Sequence, residues 1–257
     1  MISSAFAFTF DQCVQAAADP QLSSAETHLL ATLLSQEDQL HYHQINNIQL
    51  PQHVLYILHQ LTFTFTPSTS SSSSATLWTA ITLLKKLYLL SQQQHPIDLI
   101  TIVASFTLAH KYQHSQTHIL DYHLIAHTFN IHDIQLIHDG EVALLDALSY
   151  DISVPTPDDF FSYFSNLANN TDPKIKTIID EARLALSSPS LSHQTFGVLH
   201  NYSPSVVVLS VMYNHLTSNS WMSELVKKII VGKKDGDQYV KQLIHCIAQL
   251  QSLATSS

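Results

Sequence analysis

The sequence predicts an all-α protein, and three observations carry that reading. Apolar residues recur every three to four positions over most of the chain, the spacing of one helix face. Glycine is scarce, at 4 in 257 residues, whereas sandwiches, barrels and phosphate-cradling loops need it at tight turns. Proline follows a capping residue at more than one predicted helix start, where its fixed φ suits the first turn.

Composition bounds the function classes. With 45% hydrophobic residues, 257 residues suffice for one large domain or two of ordinary size. Charged residues make up 12%, against roughly 25% in ordinary soluble domains. The formal net charge of −9 is a poor basis for binding nucleic acid, whose phosphates require cations. No G-x-G-x-x-G or G-K-[ST] motif is present. Cys13 and Cys246 are far apart and form no framework, and no signal peptide is evident. An intracellular location, nuclear or cytoplasmic, is therefore expected. Residues 1–10 are too short to span a membrane and no uncharged apolar run reaches that length, so no membrane partner is expected.

Taken in order, residues 5–19 and 24–44 form a polar, leucine-containing lead-in, with Leu29, Leu30, Leu33 and Leu34 at helical spacing and Ser23 or Ser24 as its cap. A helix over 51–63 buries Val54, Leu55, Leu58 and Leu61. The period-two Leu61–Thr66 stretch reads as its end and the start of a loop. Residues 67–74, PSTSSSSS, read as a flexible linker. Residues 76–91 are apolar on nearly all sides and predict a central buried helix. Helices over 96–112, 117–129 and 132–149 follow, the last with Asp133 as a candidate cap. Pro155 and Pro157 then break the pattern. Thr156 can cap the next helix, with Pro157 at its first position and Asp159 at its third. Beyond this joint, helices are expected over 157–168, 172–187, 191–198, 203–217, 220–231 and 236–253, and Ser203-Pro204 repeats the cap-then-proline device. The predicted organisation is an N-terminal helical segment (1–49), a first helical domain (50–153) and a second (154–257).

These segments resemble the cyclin family. Ala104-Ser105-Phe106-Thr107-Leu108-Ala109-His110-Lys111-Tyr112 is similar to the L-A-x-K-[YF] stretch of the cyclin box. The run from Glu141 to Ile152, EVALLDALSYDI, is similar to the box's E-x-x-x-L-x-x-L-x-[WFY]-x-[LIV] helix. Pro155-Thr156-Pro157 with Phe160, Phe161 and Phe164 looks like the family's proline joint. Tyr202-Ser203-Pro204-Ser205 through to Trp221 looks like its second-half segment. The likeness covers roughly residues 50–250 and lies in the order and spacing of the motifs together.

The resemblance implies two tandem five-helix cyclin folds plus an N-terminal helix. It implies a regulatory subunit that binds and activates a cyclin-dependent protein kinase in a heterodimer, with a cell-cycle or transcriptional role and no catalysis of its own. By motif, Lys111 and Glu141 take the places of the family's kinase-binding Lys and Glu. By position, Leu50, Val54 and Ile57 correspond to the substrate-docking patch of cell-cycle members. That helix departs from the family: its usual Arg and Trp are absent and His53 intrudes. The alternative on the same fold is a non-kinase adaptor resembling the factor IIB transcription core. It needs a basic face, which net −9 with a single arginine does not supply.

Other features have plainer readings. His110, His114 and His118, like His123 and His127, are four apart, a spacing that can suit zinc. At 17 histidines the excess over chance is small, so they read as solvated polar positions; no metal or cofactor is expected. Asp158 and Asp159 read as helix-start carboxylates rather than a catalytic pair. Arg183-Leu184-Ala185-Leu186 matches a minimal destruction signal but lies in a predicted amphipathic helix, and reads as structure. No catalytic residue is predicted.

Overall fold

The computed structural model describes residues 24–40, 45, 48–66, 72–91, 97–114, 119–169, 173–187, 199–215, 225–227, 229–230, 233 and 235–255. Every regular element among them is a helix, as the sequence predicts. In order they are α1 (Ser24–Gln39), α2 (Gln52–Phe65), α3 (Ser72–Leu90), α4 (Leu99–Gln113), α5 (Tyr122–Thr128), α6 (Gln135–Ala147), α7 (Pro157–Asn169), α8 (Pro173–Ser187), α9 (Pro204–His215) and α10 (Gly236–Thr255). Residues 225–227 and 229–230 are also helical. The expected lead-in at 5–19 and the segment at 191–198 lie outside the described residues, as do Pro96, residues 67–71 and Trp221.

Local chemistry sets several boundaries. Asp98 starts α4 by accepting from the Thr101 backbone N–H at 2.8 Å, and Asp121 starts α5 by accepting from Leu124 N–H at 3.0 Å. The Asp121 cap makes α5 begin five residues later than the spacing predicts. Asp133 accepts from Gln135 N–H at 2.9 Å, just ahead of α6. At the proline joint the expected capping box is present. The Thr156 N–H and hydroxyl reach Asp159 Oδ2 at 2.7 and 2.8 Å, and Asp159 N–H points back to Thr156 Oγ1 at 3.4 Å. Asp158 is paired separately, receiving Nε and Nη2 of Arg183 at 2.6 Å each. Both carboxylates of the pair are thus structural, and Arg183 is tied into the α7–α8 contact.

Two expectations are corrected. Ser72, Ser73 and Ser74 are helical and Ser73 is buried, so the serine run enters α3 rather than staying a linker throughout. Serine is tolerated in a helix's first turn, where its hydroxyl oxygen can accept from backbone N–H groups that lack a partner within the helix. The histidines at 110 and 114 are buried, not solvated: their rings stack at 4.3 Å and 28°. His114 Nε2 lies 3.4 Å from Thr76 Oγ1.

The core has two large clusters and a smaller one. Residues of α2 to α6 surround Phe106, Leu58, Leu61 and Ile81. Helix α4 is buried continuously from Ile102 to His110, making it the axis of that cluster. A second cluster gathers Phe160, Phe161, Phe164, Val206–Leu209, Leu243 and Ile247 from α7, α9 and α10. Leu30, Leu33 and Leu34 of α1 and Trp78 of α3 also belong to this second cluster. Leu83, Leu87, Leu108, Leu144, Leu148 and Val154 form the third. Helix α3 packs on α2, α4 and α6 and also on α7 and α8, so it links the two large clusters. No helix among the described residues is long and apolar enough to cross a membrane.

Candidate partner-binding site

Two helices place the two charged residues singled out by the sequence. Lys111 stands in the last turn of α4, where a cation is favoured by the helix dipole. Glu141 lies mid-way along α6, and α4 packs directly on α6. The two helices come close because α6 carries Gly140, where an added Cβ would lie 2.8 Å from Ile100 Cγ2 and 3.3 Å from Ala104 Cβ. Thirty residues apart in sequence, Lys111 Nζ donates to Glu141 Oε2 at 2.7 Å. The pair is asymmetric: the lysine side chain is 49% exposed and the glutamate 7%. The cation faces solvent, and the carboxylate is sunk behind it.

Two residues that sequence reasoning missed complete the site. Tyr122, at the start of α5, donates its hydroxyl to Glu141 Oε1 at 2.7 Å, and Lys111 Nζ stands 5.2 Å from the centre of the Tyr122 ring. His138, one turn before Glu141, stacks on that ring at 4.6 Å and 30°, with Nδ1 3.5 Å from Glu141 Oε2. The only sequence signal for either was position: His138 is three residues before Glu141, and Tyr122 directly follows the Asp121 cap.

Burial pushes the Glu141 carboxyl up, but hydrogen bonds from Lys111, Thr107 and Tyr122, with the lysine's charge, outweigh it and leave the group below its usual value. Tyr122 moves the opposite way. Burial, the bond to Glu141 and that carboxylate's charge all hold the phenol protonated. The site is therefore a carboxylate with neutral and cationic donors around it and a cation directed outward. It can present a hydrogen-bonding charge to an acceptor on a partner. The same elements carry exposed apolar side chains: Tyr112 at the end of α4, Ile119 and Leu124 at α5, Leu136 and Val142 on α6, and Tyr150 after it.

The candidate docking patch has a different fate. Leu50 and Val54 are buried in the first cluster and Ile57 is only partly exposed. Val54 shares an inward stripe with Leu58 and Leu61, at the four- and three-residue steps of one helix face. The outward face of α2 is instead made by Gln52, His53, Tyr56 and Gln60, with Gln60 Nε2 bonded to the Tyr56 hydroxyl at 2.7 Å. Leu50, Val54 and Ile57 therefore do not make an exposed apolar patch.

Among the described residues no three His, Cys, Asp or Glu side chains are grouped to hold a metal ion. His118 lies outside them, and His123 and His127 are exposed on α5.

No protein-family model matches the chain. No curated protein matches it either. Among solved structures, a chain of the CAK complex of Chaetomium thermophilum bound to ATP-γ-S aligns over 97% of this chain and 71% of its own. The identity is 15% and the TM-score 0.45.

Proposed function

We propose that this chain is a cyclin-type regulatory subunit that binds a cyclin-dependent protein kinase and activates it. The observation that supports the reading most directly is the Lys111–Glu141 ion pair at 2.7 Å. The two residues matched by motif, from separate helices, meet in a unit whose cation is half exposed. In this reading the kinase supplies all the chemistry. The chain binds the kinase's active conformer better than its inactive one, and the population shifts by that difference in affinity. Opening of the activation loop and inward movement of the kinase's regulatory helix would follow.

The test is co-purification of the full chain with each of a panel of cyclin-dependent kinases, followed by histone phosphorylation. A double reversal, Lys111→Glu with Glu141→Lys, retains opposite charges within the pair but inverts the sign shown to a partner. Association with the cognate kinase is expected to weaken by about tenfold or more. A reversed variant that is folded by circular dichroism and binds as well as wild type would remove the proposed surface.

A further inference from the structure

Glu141 has two carboxylate oxygens with different partners. Oε2 takes Lys111 Nζ at 2.7 Å and has His138 Nδ1 at 3.5 Å, while Oε1 takes the Tyr122 hydroxyl at 2.7 Å. A carboxylate held at one oxygen only can turn about its last side-chain torsion, which is broad and nearly unrestricted. Holding both oxygens fixes its plane. Fixing the plane places the lysine head, because the ammonium has three donors in tetrahedral geometry and one points at Oε2. The Tyr122 ring adds a second restraint on the same ammonium, 5.2 Å from the ring centre.

We propose that Tyr122 is a positioning residue of the partner-binding site: its hydroxyl locks the Glu141 carboxylate and its ring seats the Lys111 ammonium, so that the pair is pre-organised before a partner arrives. The proposal rests on the kinase-binding reading for its functional consequence, but not for its geometry. Its energetic sense is ordinary. A half-exposed lysine loses rotamer freedom on binding, and a side chain already held in the bound geometry loses less. A tyrosine suits the task because it stays a neutral donor through the physiological range, burial and the neighbouring carboxylate both opposing its ionisation.

A further side chain stands at the same carboxylate. His138 stacks on Tyr122 and approaches the oxygen that Lys111 occupies. The titratable and hydrogen-bonding groups facing this carboxylate are Lys111 and Thr107 from α4, Tyr122 from α5 and His138 from α6. Asp139, beside His138 on α6, is bonded to Gln135 Nε2 at 2.9 Å.

Two variants separate the hydroxyl from the ring. Tyr122→Phe keeps the ring beneath Lys111 and against His138 and removes only the hydroxyl; Tyr122→Leu removes both. In the isolated full chain, NMR titration of the Glu141 carboxyl carbon is read for wild type and both variants. With Tyr122→Phe, the Glu141 midpoint is expected to rise, by about half a pH unit or more, since the carboxylate loses a donor that favours its charged form. In the second arm, affinity for a cyclin-dependent kinase that wild type binds is expected to fall about three- to tenfold for Tyr122→Phe and further for Tyr122→Leu. An unshifted titration midpoint in a folded Tyr122→Phe chain would overturn the positioning role. So would a shifted midpoint with wild-type kinase affinity, because the pre-organisation would then have no effect on binding. Failure of wild type to bind any kinase would instead remove the functional reading and leave the titration arm to decide the geometry.

Discussion

Lys85 lies mid-way along α3 at 1% exposure, and its ammonium donates to the His200 carbonyl at 2.9 Å, across 115 residues of sequence. Burial pushes the amine down from 10.5 to about 7. The unfolded chain therefore holds the proton more tightly, and between about pH 7 and pH 10.5 it binds more protons than the folded one. Stability should rise with pH through that window; the penalty is full below it and gone above it. Lys85→Met is accordingly expected to stabilise the chain by about 1–3 kcal/mol near pH 6, after the loss of the bond to His200. The gain should shrink toward pH 10. Urea unfolding at both pH values reads this, and an equal difference between wild type and variant at both would contradict the burial argument. Glu141 works in the opposite sense. Its carboxyl lies below the usual value, so the stability it contributes is present above the ordinary carboxylate range and is lost as the pH falls through its own lowered value.

The contact between α4 and α6 that brings Lys111 to Glu141 depends on a small residue. Gly140 costs α6 helix propensity, by about 1 kcal/mol relative to alanine. Its replacement would nevertheless set a Cβ 2.8 Å from Ile100 Cγ2, an atom fixed next to the backbone by β-branching. Overpacking should therefore exceed the propensity gain, and Gly140→Ala is expected to destabilise by about 1–2 kcal/mol, visible as a lower thermal midpoint. A stabilised variant would mean that the helices separate at little cost. The capping box at the proline joint is expected from the sequence, whereas Asp98 and Asp121 emerge as caps only in the structure. The start of α9 is expected at Ser203-Pro204, but the partner of its first turn could not be read. Its Ser205 N–H and hydroxyl bond to Glu37 Oε1 and Oε2, each at 2.7 Å, so an acid 168 residues away satisfies donors of that first turn.

Glu37 gives the whole molecule one of its longest-range ties. Its carboxylate is buried in α1 and also takes Lys233 Nζ at 2.6 Å, while that ammonium reaches Asp38 at 2.8 Å. The Tyr239 hydroxyl donates to Ser205 Oγ at 3.0 Å and closes the network from α10. Together with Leu30, Leu33 and Leu34, this fastens α1 to the cluster of α7, α9 and α10. Replacing one oxygen by an amide sets donor against donor in a buried site. Glu37→Gln is thus expected to cost about 3 kcal/mol in chemical unfolding. Hydrogen exchange should show α1 and the start of α9 losing protection together. Loss of less than about 0.5 kcal/mol would show the network to be incidental to stability.

The sequence by itself determined what local rules govern: helix class from apolar period and scarce glycine, most helix positions, the proline joint with its capping box, and the candidate pair at 111 and 141. Each rests on interactions within a few residues, or on motif spacing. Only the tertiary structure decided which faces turn inward. It buried His110, His114 and Lys85, closed Leu50 and Val54 into the core, and set Tyr122 and His138 against Glu141. Burial and long-range pairing depend on which helices meet and at what distance, and that geometry is a property of the packed whole, which no short window of residues encodes.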